Sequence, residues 1–101
     1  MIPTKICGIT NLDDANVAVE NGASAIGFIF YEKSPRTISI NNAKSISKHL
    51  PKTIARVGVF VNHEKDFIHE AISEVPLDMI QLHSDETPDF CNQFDVAILK
   101  A

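Results

Sequence analysis

Short runs of β-branched and apolar residues alternate along the chain with longer stretches in which apolar residues recur every three or four positions. The short runs predict strands, and the longer amphipathic stretches predict helices between them. Five strands are predicted, at residues 4–7, 25–30, 55–61, 79–82 and 96–100. The predicted order of elements is therefore βαβαβαβαβ.

Residues suited to helix ends separate these elements. Three helices are predicted around residues 12–19, 43–50 and 67–75, and a short fourth helix follows the pair Thr87-Pro88, which suits an N-cap and a first helical position. Proline and glycine end the first three helices, because neither residue continues a helix well. The residues in these roles are Thr10 or Asn11 as the first N-cap, and Gly22, Pro51 and Pro76 as terminators.

Near-continuously apolar strands that are separated by helices predict parallel pairing with right-handed crossovers. Both a doubly wound open sheet and a barrel fit this order of elements. Lys5 and Cys7 share one face of the first strand, and Gln81 and His83 share one face of the fourth. Polar groups on one face are typical of a barrel interior near its C-terminal rim, whereas an open sheet covered by helices is apolar on both faces.

The predicted fold is therefore an α/β (β/α)₈ barrel, also called a TIM barrel. A complete barrel has eight βα units and runs to about 200 residues or more, so residues 1–101 are expected to form one incomplete barrel domain, about the first half. Phenylalanine at strand spacing usually belongs to the core rather than to a stacking platform, and this is the interpretation for Phe28, Phe30 and Phe60.

Composition narrows the class of partner. The net charge of −4 with scattered basic residues argues against nucleic acid binding. The longest apolar stretch, at residues 25–31, is too short to span a membrane, and no secretory signal is recognisable, so a cytoplasmic protein is expected. Cys7 and Cys91 lie in different elements without metal-ligand spacing, which predicts two free thiols.

Five segments carry a resemblance to a known family. In chain order they are residues 5–10 (KICGIT), 27–30 (GFIF), 34–36 (SPR), 57–62 (VGVFVN) and 81–83 (QLH). Together they resemble phosphoribosylanthranilate isomerase of tryptophan biosynthesis, and the likeness extends over essentially the whole chain. The resemblance implies a barrel enzyme that performs an Amadori rearrangement, in which an N-linked phosphoribosyl anthranilate opens its ring and becomes an amino-ketose. No cofactor and no metal are implied.

The resemblance implies that Cys7 is the general base that removes a proton from the sugar. An unperturbed thiol has a pKa of about 8.5, so the site has to favour the thiolate, and Lys5 on the same strand face is a candidate for doing so. Taken from its position alone, Cys7 is equally well a small buried thiol that only packs. Cys91 keeps that structural interpretation.

Substrate-binding residues are also implied. Arg36 lies in a polar loop, and its planar guanidinium suits the anthranilate carboxylate, although a loop arginine is otherwise most often a solvated charge. Gln81 and His83 end the fourth strand and are assigned to substrate binding or to support of the site. The remaining histidines, His49, His63 and His69, are expected at the surface.

The chain departs from the family at Ser84, where a glycine is common and where serine leaves less room for a ligand. The family's general acid is an aspartate on a later strand, and its phosphate loops follow strands seven and eight. Neither Asp85 nor Asp95 matches the motif of that acid. We therefore expect the isolated chain to show little or no turnover.

Two alternatives remain open. One is a non-catalytic half-barrel whose unpaired apolar edge strands lead it to self-associate, or to complete a barrel with a C-terminal half on another chain. The other is a different phosphosugar enzyme that shares the same first-half pattern.

Overall fold

Five parallel strands form a single sheet in which each strand pairs with the next one along the chain. The computed structural model describes residues 5–82, 94 and 96–100, with side chains up to residue 98. The strands are β1 (Lys5–Cys7), β2 (Ala25–Ile29), β3 (Ala55–Phe60), β4 (Met79–Leu82) and β5 (Ala97–Lys100). In a doubly wound sheet the spatial order departs from the chain order at a switch point. The uninterrupted order β1 to β5 is that of a barrel wall, as predicted.

The ends of the strands differ from the predicted ends by at most one residue wherever both are described. The span of β4 is the predicted one, β2 and β3 each end one residue earlier, and β5 begins one residue later. The two early ends have a common cause, because the carbonyl of Phe30 and the amide of Val61 bind the ring of His63 rather than a neighbouring strand. Several predictions concern residues outside those that the structure describes. They are the fourth helix and the residues His83, Ser84, Asp85, Cys91 and Asp95.

Three helices connect the first four strands: α1 (Leu12–Glu20), α2 (Ile40–Lys48) and α3 (Lys65–Glu74). Of the two N-cap candidates for α1, Asn11 takes the role, since its side-chain oxygen accepts the backbone N–H of Asp14 at 2.8 Å. Ser39 caps α2 in the same way, accepting from the backbone N–H of Asn42 at 3.1 Å. None of these helices is long and apolar enough to cross a membrane.

The two faces of the sheet differ in burial. The face toward the helices is mostly apolar and buried, except for the exposed Ile6 on the edge strand and the charged Arg56. Its buried apolar residues belong to one core cluster with the inward residues of α1, α2 and α3. The opposite, inner face carries Lys5, which is exposed, and Cys7 and Gln81, which are half-buried. This confirms that polar residues gather on the barrel-interior side. The residues of the buried face are Ile26, Phe28, Phe60, Ile80 and Leu82.

Arg56 is a buried arginine at the start of β3, and it is only 8% exposed. Its guanidinium donates to the hydroxyl of Ser47 at 2.9 Å and to the carbonyl oxygens of Ser47 at 2.8 Å, Leu50 at 3.0 Å, Pro51 at 2.9 Å, and Ile54. These oxygens lie at and just beyond the C-terminus of α2, where helical carbonyls lack intrahelical partners and favour a positive charge. Arg56 therefore joins α2 to the sheet by satisfying buried acceptors.

The backbone of Arg56 also holds the turn before β4. Its N–H donates to the Asp78 carboxylate at 2.8 Å, and its carbonyl accepts the N–H of Asp78 at 2.8 Å. Both contacts lie at the amino ends of the strands, whereas Cys7 lies at a carboxyl end. Because barrel enzymes place chemistry at the carboxyl ends and stabilising contacts at the other end, Arg56 is assigned to stability.

We expect Arg56→Met to lower the free energy of unfolding by about 3 kcal/mol, because several buried carbonyl oxygens lose their donor. Urea or thermal unfolding followed by circular dichroism measures this change. Lys52→Met is the matched control, since it removes an exposed positive charge at the same end of the sheet, and it should change stability by less than about 0.5 kcal/mol. Equal losses in the two variants would contradict the assignment.

Candidate active site

Cys7 ends β1 on the inner face of the sheet, and its side chain is half-buried. The next residue, Gly8, has a φ of +83°, a conformation that residues with a side chain rarely adopt. The amides of Gly8 and Ile9 both donate to the carbonyl of Gly27, at 3.1 and 3.3 Å. The chain therefore turns away directly after Cys7, which leaves the thiol at the carboxyl edge of the sheet.

Gly27 provides the space that the thiol occupies. It is the strand partner of Cys7 in the pairing of β1 with β2. A Cβ atom built on Gly27 would lie 2.6 Å from the Cys7 sulfur and 3.2 Å from its Cα, well inside van der Waals contact. The prediction of site residues did not include Gly27, because only the strand register shows that it faces Cys7.

Arg36 lies in the loop between β2 and α2 and reaches back to β1. Its Nη1 group donates to the carbonyl oxygen of Cys7 at 3.4 Å, and its backbone N–H donates to the hydroxyl of Ser34 at 3.2 Å. The guanidinium passes directly over Gly8, where a Cβ would lie 2.7 Å from Nη1. The structure thus brings together Cys7 and Arg36, which are separated by 28 intervening residues, and this contact occupies one of the five guanidinium donors.

Gln81 faces the same inner surface from β4. The ammonium group of Lys5 donates to the side-chain oxygen of Gln81. The sequence suggested Lys5 as a group that favours the Cys7 thiolate, but the structure directs its hydrogen bond to Gln81. This contact joins the first and fourth strands across the inner face, so the sheet is curved in the sense that a barrel requires.

The histidines divide into three groups. His49 and His69 are exposed, as predicted. His63 was expected at the surface as well, and that expectation is wrong, because the ring is part-buried and bonded to two backbone groups. His83, assigned to the site from the sequence, lies outside the described residues.

The arrangement offers a thiol, a guanidinium and an amide at one edge of the sheet. None of the five described strands contains an aspartate or a glutamate. Within the described residues, no three His, Cys, Asp or Glu side chains are grouped as they would be to hold a metal ion. The described strands and the Arg36 loop thus offer a thiol that can act as a base and a guanidinium that can bind an anion.

Comparison with known proteins identifies relatives of this chain. The family model described as N-(5'phosphoribosyl)anthranilate (PRA) isomerase matches residues 4–101. The N-(5'-phosphoribosyl)anthranilate isomerase of Pseudomonas fluorescens is 47% identical over 100 residues, covering 99% of this chain and 48% of the relative. That of Geobacter sulfurreducens is 46% identical over 101 residues, covering 100% of this chain and 50% of the relative. The chain thus spans about half the length of the curated relatives it matches.

Solved structures agree with the sequence relatives. The phosphoribosyl anthranilate isomerase of Thermotoga maritima superposes with a TM-score of 0.95 at 47% identity, covering 99% of this chain and 50% of that one. A phosphoribosyl anthranilate isomerase in complex with reduced 1-(o-carboxyphenylamino)-1-deoxyribulose 5-phosphate also has a TM-score of 0.95 at 47% identity, with coverages of 99% and 53%. The phosphoribosyl anthranilate isomerase of Thermus thermophilus superposes with a TM-score of 0.89 at 34% identity, covering 98% of this chain and 50% of that one.

We expect Gly27→Ala to displace the Cys7 thiol, because the added methyl group overlaps the position of the sulfur. The thiol should move toward the inner face, where it is more accessible, at a cost of about 1 kcal/mol for the displaced rotamer. We expect it to react roughly fivefold faster with iodoacetamide, because the sulfur is no longer covered by β2. Mass spectrometry in a Cys91→Ser background follows the single remaining thiol.

Ala25→Gly is the matched control for this measurement. It alters the same face of β2 one pleat away, opposite Lys5, without adding an atom near the sulfur. Its alkylation rate should equal that of the unsubstituted chain. A folded Gly27→Ala variant with an unchanged rate would show that Gly27 does not set the position of the thiol.

Proposed function

The chain belongs to the N-(5'-phosphoribosyl)anthranilate isomerase family, and we propose that it supplies the half of such an enzyme that carries the general base and binds the anthranilate group. The observation that carries this proposal is the convergence of Cys7 and Arg36, with Arg36 Nη1 placed 3.4 Å from the Cys7 carbonyl. A base and an anion-binding group thus lie at the carboxyl edge of the sheet, where barrel enzymes perform their chemistry.

The proposed reaction is the isomerisation of an N-linked phosphoribosyl anthranilate to an amino-ketose. An acid protonates the ring oxygen, the ring opens to an imine-type intermediate, and a base then removes the proton from the adjacent sugar carbon. The enol that forms rearranges to the ketose, so that a hydrogen moves between carbons with no net oxidation. Cys7 as thiolate is the proposed base, since a thiolate is the form of cysteine that can take up a proton.

Arg36 is proposed to bind the anthranilate carboxylate. A guanidinium presents paired N–H groups in a plane, which matches the two oxygens of a carboxylate. The bond to the Cys7 carbonyl holds the arginine side chain at the base, so a bound carboxylate would place the sugar next to the thiol. Binding and proton removal would then occur on the same edge of β1.

Gln81 is proposed to contact the substrate from the opposite wall, together with His83. The hydrogen bond from Lys5 supports the Gln81 amide in its position on the inner face. Lys5 is therefore assigned to orienting Gln81 rather than to acting on the thiol directly. For His83 the support is its place in the Gln-Leu-His segment that resembles the family.

The general acid and the phosphate-binding groups are proposed to come from later strands, as the family resemblance implies. The described strands support this division, since none carries an acidic residue. The whole enzyme would act on a small, negatively charged substrate, with no role for nucleic acid or membrane, and we place it in the cytoplasm.

A second proposal concerns assembly with a complementary half-barrel. The outer edge of β1 has no strand partner among the described residues, and the exposed side chains of Ile6 (38%) and Val17 (54%) lie beside it. They line a cavity of about 420 Å³ together with residues of α1. An apolar strand edge of this kind favours pairing with another strand, so we propose that a C-terminal half pairs with β1, with self-association of the chain as the competing outcome.

The catalytic proposal is tested by mixing the purified chain with the separately produced second half of the Thermotoga maritima relative. Chromatography measures the conversion of substrate. We expect conversion in the mixture and little or none from the chain alone. Cys7→Ala in the mixture should lower kcat by at least about 100-fold, the usual contribution of a general base. Arg36→Met should raise KM by about tenfold or more, because a charged hydrogen bond is lost.

Cys91→Ser is the matched thiol control and should leave conversion in the mixture unchanged. Conversion that persists in Cys7→Ala would rule out Cys7 as the base. Isomerisation by the 101-residue chain on its own, abolished by Cys7→Ala, would contradict the proposed division between two halves.

Assembly is tested by sedimentation velocity of the chain with and without the complementary half. We expect a one-to-one complex that is weakened in the double variant Ile6→Lys/Val17→Lys, since charges at an apolar edge oppose pairing. The matched control Glu20→Lys reverses a charge on the exposed surface of α1 outside the cavity lining, so it makes the same change of two charge units as the double variant. A folded monomer in every mixture would exclude the assembly proposal.

A further inference from the structure

The ring of His63 connects the carboxyl ends of β2 and β3. Its Nδ1 atom accepts the backbone N–H of Val61 at 3.0 Å, and its Nε2 atom lies 3.1 Å from the carbonyl oxygen of Phe30. A carbonyl oxygen can only accept a hydrogen bond, so Nε2 carries the proton and Nδ1 is bare. The two contacts together therefore require a neutral imidazole in one defined tautomer.

The surroundings hold this ring in its place. Phe67 of α3 stacks on it at a centroid distance of 5.0 Å and an interplanar angle of 16°. Phe60 meets it edge-on at 5.4 Å and 84°. Asn62, at a φ of +55°, turns the chain so that His63 points back over the strand ends. The position of the imidazole is thus determined by packing as well as by hydrogen bonds.

The Phe30 carbonyl that His63 binds is the point at which the Arg36 loop leaves β2. The loop returns at Thr37, which bridges to Ile29, and the N–H of Ile38 donates to the Ile29 carbonyl at 2.9 Å. The Ile38 end of the loop is therefore held by strand-type contacts. At the other end, the Phe30 N–H donates to the Val59 carbonyl at 3.0 Å, and the Phe30 carbonyl is held by the histidine. Arg36 lies between these two points and reaches Cys7 from there.

We propose that His63 is a positioning residue that sets the geometry of the Arg36 loop, and that protonation of its ring releases the loop. An imidazolium carries a hydrogen on both nitrogens, so Nδ1 can no longer accept from Val61 and instead opposes its N–H. This inference rests on the proposed function only where it concerns substrate, since the hydrogen bonds belong to the chain itself. Binding of the anthranilate carboxylate would then weaken when the His63 ring is protonated.

Charged groups from each neighbouring segment face this part of the molecule. Tyr31, Glu32 and Lys33 of the Arg36 loop line a cavity with His63, and Glu64 lines it from the N-terminus of α3. Lys65 and Asp66 precede Phe67 on α3. Because these charges surround the ring, variants at position 63 have to be compared at constant ionic strength.

The inference is tested first without activity, by amide hydrogen exchange of the 101-residue chain at about pH 8 and about pH 5.5. His63→Phe keeps an aromatic ring for packing but removes both hydrogen bonds. At the higher pH we expect the Val61 amide and the amides of residues 31–37 to exchange about fivefold faster in this variant, after correction for intrinsic rates. At the lower pH the exchange rates of these amides in the unsubstituted chain should approach those of the variant. The corrected exchange rates of the variant should be the same at both pH values.

His49→Phe is the matched control, because His49 is exposed and its ring hydrogen-bonds to the Ser45 carbonyl of its own helix. It should leave exchange in residues 31–37 unchanged at both pH values. Unchanged exchange in His63→Phe, or a pH effect that persists in it, would overturn the inference. Thermal unfolding separates the local effect from global instability, and His63→Gln provides a second variant that keeps a donor and an acceptor.

The second arm uses the mixture with the complementary half. His63→Phe should raise KM about fivefold with little change in kcat, and His63→Gln should restore part of the loss, since its amide can replace one of the bonds. An active mixture in which His63→Phe leaves KM unchanged would overturn the positioning role while the proposed function stands. An inactive mixture would count against the proposed function, and the exchange measurements would still decide the role of His63.

Discussion

The parallel pairing of β1 with β2 is the constraint on which the candidate site depends. It sets Cys7 opposite Gly27, and only a residue without a side chain fits there, since a Cβ would lie 2.6 Å from the sulfur. The Gly27 carbonyl then receives two amides from the turn after Cys7. That turn creates the surface over which Arg36 lies. A single strand register thus places the thiol, shapes the chain that follows it and allows a distant loop to approach.

The two ends of the sheet serve different purposes. At the amino ends, Arg56 places a buried charge among hydroxyl and carbonyl oxygens and joins α2 to β3. At the carboxyl ends, Cys7, Arg36 and Gln81 carry polar groups that lie outside the apolar core. The buried apolar face between the sheet and the helices separates these ends, so the contacts that stabilise the fold are not the ones assigned to chemistry.

The strands, the three described helices and the position of Cys7 on the inner face could be predicted from the sequence, because each depends on local periodicity or on a helix cap. It also assigned Arg36 to the site, but only through a family resemblance, since nothing in a polar loop shows where its arginine points. Lys5 was placed on the correct face, but its hydrogen bond to Gln81 could not be predicted, because Gln81 comes close only when the sheet curves. His63 was misjudged as a surface residue, because its partners, Phe30 and Val61, lie at the ends of two different strands.

The amino-acid sequence by itself determined the order of elements, their parallel pairing and the residues that face the barrel interior. These properties follow from the alternation of side chains along a strand and from helix periodicity, which act over a few residues. The tertiary structure alone decided that Gly27 accommodates the thiol, that Arg36 reaches Cys7, that Arg56 is buried and that His63 is held as a neutral ring. Each of these depends on the distance between atoms of different elements, and that distance is set by register, sheet curvature and loop path rather than by any local pattern.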